Sequence, residues 1–186
     1  MKNKHDEIVS LIFCALMSAL ISVVSQITIP TPFGIPITFQ TFAISLCGFL
    51  LGTRHGLVSV TVYIALGVVG MPVFTGFRGG FSVVFGEPTG GFIIGFIPLA
   101  ALCGVKKYIY WKKHGKLLSV SLGILGIIIC HLCGVILYST ITNVGFFASV
   151  AVATLPFILK DIISCFLAYL ISCRLLSTLN KIGYKL

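Results

Sequence analysis

The chain has 186 residues, of which 58% are hydrophobic and only 9% are charged, and its mean hydropathy is +1.13. Soluble globular proteins carry about 25% charged residues, so this composition excludes an ordinary soluble domain and predicts a single integral membrane domain over residues 1–186. The formal net charge of +9 does not require a nucleic-acid partner, because the basic residues follow the ends of the predicted membrane segments.

Long uncharged runs predict the membrane spans. Residues 8–53 and 117–159 contain no Asp, Glu, Lys or Arg, and a membrane-spanning helix needs about 20 apolar residues. The predicted fold class is therefore an all-α integral membrane protein with six transmembrane helices. In chain order the spans cover residues 8–27, 37–51, 57–69, 89–105, 117–138 and 161–179, with a proline-rich turn at 29–36, a glycine-rich loop at 74–95, a basic loop at 106–116 and an apolar loop at 139–160.

The basic residues predict the orientation of these spans. With six spans, eleven of the thirteen Lys and Arg residues fall on the side of the two termini, and only Arg78 and Lys160 fall on the other side. Cytoplasmic loops carry an excess of Lys and Arg. We therefore expect a multi-pass protein of the cell membrane, in contact with the lipid bilayer, with both termini cytoplasmic. The glycine-rich loop and the Lys160–Asp161 pair then lie together on the outer side.

The glycine-rich stretch 74–95, between the third and fourth predicted helices, is unlike the rest of the chain. Its glycines allow positive φ angles and close approach to a neighbouring group. At membrane depth, irregular backbone persists only where it is buried in protein or lines a water-filled cavity. We interpret the stretch as a segment that caps an outward-facing ligand cavity, with an ordinary surface loop as the alternative.

Three charged residues are candidates for ligand contacts on the outer side. Asp161 is an acid beside an apolar helix and next to Lys160; such residues are functional candidates by default, although an acid at a helix N-terminus also serves as a start signal. A carboxylate only accepts hydrogen bonds, which suits a ligand with N–H groups. Arg78 and Lys160 suit an anionic ligand group, or are solvated loop charges.

Further candidates near the same layer are uncharged. Gln40, Thr38 and Thr89 are polar groups that either contact a ligand or are satisfied by backbone and water. Seven phenylalanines are candidates for the wall of an apolar pocket, although plain core packing is the expectation for most of them: Phe39, Phe42, Phe74, Phe77, Phe81, Phe85 and Phe92. Ala15 and Ala19 place two small residues four apart, which permits close helix contact.

No signal for catalysis or metal binding stands out. Cys130, His131 and Cys133 lie in the middle of the fifth predicted span, but their spacing does not place a third ligand on the face of the two cysteines. The sequence has no GxxxxGK[ST], HExxH or GxSxG motif, the signatures of phosphate loops, zinc proteases and serine hydrolases. We expect neither an enzyme nor a bound cofactor or metal.

Three segments carry a resemblance to a known family. They are PITFQT (36–41), PVFTGFRGGFSVVFGEPTGGFIIGF (72–96) and LPFILKD (155–161). In this order and spacing they resemble the BioY family, the biotin-specific substrate-capture subunits of energy-coupling factor transporters. The resemblance covers nearly the whole chain. It implies six membrane helices, a biotin site on the outer side, and two kinds of partner: a transmembrane coupling subunit and two ABC-type ATPases.

The resemblance also assigns roles to individual residues. It implies that biotin is bound by the glycine pair Gly79–Gly80 and by the motif Thr89, Gly90, Gly91 and Phe92, together with Phe74, Gln40, Arg78, Lys160 and Asp161. It implies that Ala15 and Ala19 dock on the coupling subunit. The chain departs from the family pattern at Lys160, where Pro-Gly commonly precedes the Asp, at Phe92, where Tyr is common, and at Glu87.

The residues alone leave rival functions open. The same scaffold suits another small vitamin, and Asp161 suits the proton site of a self-sufficient carrier. An intramembrane enzyme or a packing scaffold is the third possibility.

Overall fold

The computed structural model describes residues 4–31, 35–105 and 115–182. These residues form helices joined by one short antiparallel hairpin, in which Thr28 pairs with Thr38 and Ile29 with Ile37. The elements in chain order are α1 (Lys4–Val24), β1 (Thr28–Ile29), β2 (Ile37–Thr38), α2 (Gln40–Val68), α3 (Phe81–Phe85), α4 (Gly90–Gly104), α5 (Gly115–Thr142), α6 (Phe146–Ala153) and α7 (Leu155–Lys181). The predicted basic loop, apart from its last two residues, lies outside the described residues.

Within the described residues, four helices are long and apolar enough to cross a membrane: α1, α2, α5 and α7. Helix α4 is apolar but shorter. The prediction of a mostly helical membrane protein is thus confirmed at this level of detail.

Helix α2 is not straight, because it breaks at Gly52. That residue has φ of 80° and ψ of 174°, a conformation that glycine adopts without the steric cost of a side chain. The two arms then fold back on each other, since Gln40 Nε2 donates to the hydroxyl oxygen of Tyr63 at 2.9 Å. In a straight helix these two residues would be roughly 35 Å apart. The arms meet closely at Gly56, where a Cβ would lie 3.2 Å from the Cα of Gly48.

The predicted loop 139–160 and the predicted start of the sixth span at Asp161 are both wrong. Helix α5 continues to Thr142, α6 follows, and α7 already begins at Leu155. Pro156 stands in the first turn of α7, where its missing N–H costs no helical hydrogen bond. Asp161 is therefore the seventh residue of α7 and cannot be its N-cap. Its charge comes well inside the helix, so the start-signal interpretation no longer applies.

The core lies where α2, α4, α5 and α7 meet. Tyr63, Phe74, Leu99 and Ile127 are among its fully buried large side chains. Tyr63 and Phe74 pack edge to face, with ring centroids 5.6 Å apart, and this contact joins the second arm of α2 to the start of the glycine-rich stretch. Helix α1 packs on the second arm through Ser18, whose hydroxyl donates to Ser59 O at 2.7 Å. The four core helices thereby frame a space that the glycine-rich stretch borders.

Candidate functional site

A cavity lies between these helices, the glycine-rich stretch and the segment before α2. It encloses about 730 Å³ of empty space, counting its open mouth. Seven of the eleven predicted ligand-binding residues line it: Gln40, Phe74, Arg78, Thr89, Phe92, Lys160 and Asp161. The structure thus brings together residues that are 121 positions apart in the sequence.

The carboxylate of Asp161 is held between two donors. Its Oδ1 contacts Lys160 Nζ in an ion pair, and its Oδ2 lies 3.0 Å from Nε2 of His131 on α5. Asp161 is only 5% exposed. Lys160 is more accessible and also donates to the carbonyl oxygen of Thr38 at 2.7 Å. A buried carboxylate with about four lone-pair positions keeps acceptor capacity beyond these two contacts.

Gln40 is the centre of a second polar group in the cavity wall. Its Nε2 donates to Tyr63, and its Oε1 accepts from the hydroxyls of Thr38 and Thr75, each at 3.2 Å. Gln40 is buried. These contacts fix the orientation of its amide, and they connect the start of α2 to both the β-hairpin and the glycine-rich stretch.

The glycine-rich stretch is folded against the rest of the protein. Phe74 and Arg78 form an antiparallel bridge, and Gln26, two residues after α1, donates to the carbonyl oxygen of Phe74 at 3.1 Å. Arg78 Nε donates to Thr75 O at 3.1 Å, and its guanidinium forms an ion pair with Glu87. Because the side chains of Arg78 and Glu87 remain partly exposed, this pair contributes little to stability. It holds the guanidinium at the edge of the cavity.

The four predicted glycines do not line the cavity, and three of them, Gly79, Gly90 and Gly91, are sites of close backbone packing. A Cβ on Gly79 would overlap Met71 O, and one on Gly90 would overlap Val84 O. Gly91 packs on the backbone of α5 at Cys133 in the same way. Gly80 has φ of 109° and donates its N–H to Gly67 O at 2.7 Å. Whether any of them also contacts a ligand stays a prediction.

Replacing Gly91 with Ala should lower the free energy of unfolding by about 1–3 kcal/mol, the usual cost of inserting a methyl group where backbone cannot move aside. The added Cβ would meet Cys133 O and lie 2.8 Å from the Cβ of Leu137, so α4 and α5 would have to separate. Thermal denaturation of the purified protein in detergent measures the effect.

Gly145→Ala is the matched control, since a Cβ there meets no atom within 4 Å and its φ is −56°. Equal melting temperatures for the two variants would contradict the close packing at Gly91.

Several residues of the cavity were not predicted from the sequence. The main ones are Thr41, Thr75, Phe96, His131 and Phe157. His131 carries a usable signal, because an ionisable residue in the middle of a membrane helix is a functional candidate, whereas its spacing to Cys130 and Cys133 bears only on metal binding. Among the described residues no group of three or more His, Cys, Asp or Glu could hold a metal ion.

The chain is similar to a known family and to named relatives. The model of the BioY family matches residues 1–181. A probable biotin transporter BioY of Pyrococcus horikoshii is 36% identical over 161 residues, which cover 87% of this chain and 92% of the relative. The biotin transporter BioY of Thermotoga maritima is 34% identical over 165 residues, covering 89% of this chain and 94% of the relative.

A solved structure has the same fold. It is the crystal structure of the S-component for biotin from an ECF-type ABC transporter, and it matches with a TM-score of 0.86 and 30% sequence identity. The match covers 94% of each chain.

Proposed function

The chain belongs to the BioY family, and we propose that it is the high-affinity biotin-binding, substrate-capture subunit of an ECF-type vitamin uptake transporter. Its relatives are named biotin transporters, and its structural neighbour is the S-component for biotin of such a transporter. The family consists of transporters, so the chain acts in transport and not as an enzyme. A separate ATPase module would energise uptake.

One observation carries the proposal: the cavity combines an ionised acceptor and two cations with apolar walls. Biotin presents two N–H donors on its ureido ring and a carboxylate on its tail. Asp161 would accept from a ureido N–H, because an ionised carboxylate offers only acceptors. Arg78, which lines the same cavity, would attract the tail carboxylate, and Lys160, whose ammonium pairs with Asp161, would add positive charge beside the ureido site. Phe74 and Phe92 would cover the apolar parts of the ligand.

High affinity would require nearly complete enclosure. A nanomolar Kd corresponds to about −12 kcal/mol, or roughly 0.8 kcal/mol for each of about 16 heavy atoms, against a ceiling of about 1.5. The glycine-rich stretch would supply this enclosure as a cap, since it already contributes Phe74, Thr75, Arg78 and Val83 to the cavity wall. In this view Gly79, Gly80, Gly90 and Gly91 hold the cap and the start of α4 in place.

The finer topology is part of the proposal. Counting the two arms of α2 separately and including α4 gives six membrane-crossing segments in one domain, residues 1–186. Both termini would then be cytoplasmic in the cell membrane. This is supported by the placement of eleven of the thirteen Lys and Arg residues on one side, and it puts the mouth of the cavity on the outer side.

The proposed partners are a transmembrane coupling subunit and two ABC-type ATPases. Ala15 and Ala19 lie on the exposed side of α1, opposite the buried face that packs on α2 through Met17, Ser18 and Ile21. Small residues let two helix backbones approach closely in the membrane. This alanine pair is therefore proposed as the docking point for the coupling subunit.

The purified protein, without partners, is expected to bind biotin and to show no comparable binding of thiamine or riboflavin. The reason is that an N–H acceptor and donors for a carboxylate converge in one cavity. Calorimetry with the three vitamins under one set of conditions tests this. Absent biotin binding, or equal affinity for all three vitamins, would refute the assignment.

A further inference from the structure

His131 is the nearest partner of the proposed ureido acceptor. It lies on α5 and is only 4% exposed, and its Nε2 is 3.0 Å from Asp161 Oδ2. Its ring packs edge to face with the ring of Phe92, and the two centroids are 5.5 Å apart. The imidazole is thus held by one hydrogen bond and one aromatic contact, and both partners line the cavity.

The contacts of the ring indicate where its proton sits. An ionised Asp161 only accepts hydrogen bonds, so Nε2 must be the donor in this pair. Nδ1 is buried and has no hydrogen-bond partner among the described residues. The arrangement thus places a proton on Nε2, directed at the carboxylate of Asp161.

We propose that His131 is a positioning residue that fixes the direction in which Asp161 presents its free lone pairs to the ligand. The χ2 torsion of an aspartate is broad and does not by itself set the plane of the carboxylate. Lys160 anchors Oδ1 and His131 anchors Oδ2. With both anchors the plane is set, and the remaining acceptor positions face one fixed direction. This inference rests on the proposed binding of biotin.

The two anchors are not equivalent. Lys160 is on the same helix as Asp161, is partly exposed and divides its ammonium between Asp161 and Thr38 O. His131 comes from a different helix and is buried. Loss of His131 would therefore leave the carboxylate free to turn toward the ammonium group. Its acceptor positions would then no longer match those of a ligand N–H.

Calorimetric titration of the full-length protein with biotin tests the proposal. His131→Phe keeps the aromatic ring but removes the hydrogen-bond donor to Asp161. It should raise the Kd for biotin about tenfold, which is the effect of losing a hydrogen bond to a charged group. His131→Gln supplies an N–H near the position of Nε2, and it should recover most of that loss. Leu132→Phe is the control, since it adds the same ring at a neighbouring position that is 48% exposed.

A double-mutant cycle separates positioning from packing. If His131 acts through Asp161, then adding His131→Phe to Asp161→Asn should cost less than about twofold further, because coupled residues are not additive. The proposal would be overturned if the loss of biotin affinity in the double variant equalled the product of the two single losses. It would also be overturned if His131→Phe and His131→Gln lost the same affinity. If Asp161→Asn binds too weakly to measure, the comparison of Phe with Gln decides. A wild-type protein that does not bind biotin would instead refute the proposed function.

Discussion

Replacing Asp161 with Asn is expected to weaken biotin binding at least about tenfold, because a hydrogen bond to a charged group contributes roughly 1.5–3 kcal/mol. Asn keeps the size of the side chain and one acceptor oxygen but loses the charge. Asp161→Ala should be worse still, since it removes both oxygens that would accept from the ligand N–H. The measurement is the Kd for biotin of each purified variant.

The rival interpretation of Asp161 is a clamp between α5 and α7, through His131, with no ligand contact. A clamp predicts a lower melting temperature of the unliganded variant and an affinity near wild type for the protein that remains folded. Thermal denaturation without biotin, beside the binding titration, distinguishes the two. Ser164→Ala is the matched control, because Ser164 is buried on the same helix but does not line the cavity. Wild-type affinity of a folded Asp161→Asn protein would remove Asp161 from the site.

Sequence patterns predicted much of the helical framework, and the reason is visible at α2. Gly52 and Arg54 end a long uncharged run, and they predict a break in the helix there. The structure has this break at Gly52, because only glycine reaches φ of 80° without strain. The boundaries of α4 at residues 90 and 104 also lie within a residue of those predicted. Proline, glycine and charged residues interrupt a membrane helix through their own backbone conformation or solvation. Such effects depend on the residue itself and can be predicted from the sequence.

The start of α7 could not be read in the same way. The sequence predicts a boundary at Lys160 and Asp161, since charges are costly inside a membrane helix. In the structure they lie within α7, where the ion pair and the contact with His131 compensate the cost. The contact with His131 comes from α5, 30 residues earlier in the chain, and no local pattern records it.

The glycines show a similar limit. Composition shows that the backbone near Gly79 and Gly91 must come close to something, but it does not say to what. In the structure the neighbours are the carbonyl oxygens of Met71 and Cys133. Protein backbone, and not the predicted ligand, therefore fills the space beside these two glycines. The side chains that do line the cavity, among them Phe74 and Lys160, are easier to predict, because their aromatic or charged character is visible in the sequence itself.

Replacing Ala15 or Ala19 with Trp is expected to abolish ATP-driven biotin uptake while biotin binding by the isolated protein remains unchanged. Both alanines lie on the exposed side of α1 and are absent from the cavity lining. An indole at either position would prevent the close helix approach that small residues allow. The measurements are uptake of labelled biotin by cells with the complete transporter, and the Kd of the purified variant.

Leu125→Trp provides the control for bulk on a lipid-facing surface, since Leu125 is an exposed residue of α5 and should tolerate the larger ring with normal uptake. A fall in binding that equals the fall in uptake would show that the alanine pair packs inside the protein and that the docking proposal is wrong. Uptake that persists without the ATPases and follows a proton gradient would support a self-sufficient carrier. In that case Asp161 would be its proton site, and the Trp variants should transport normally, because no docking step would be required.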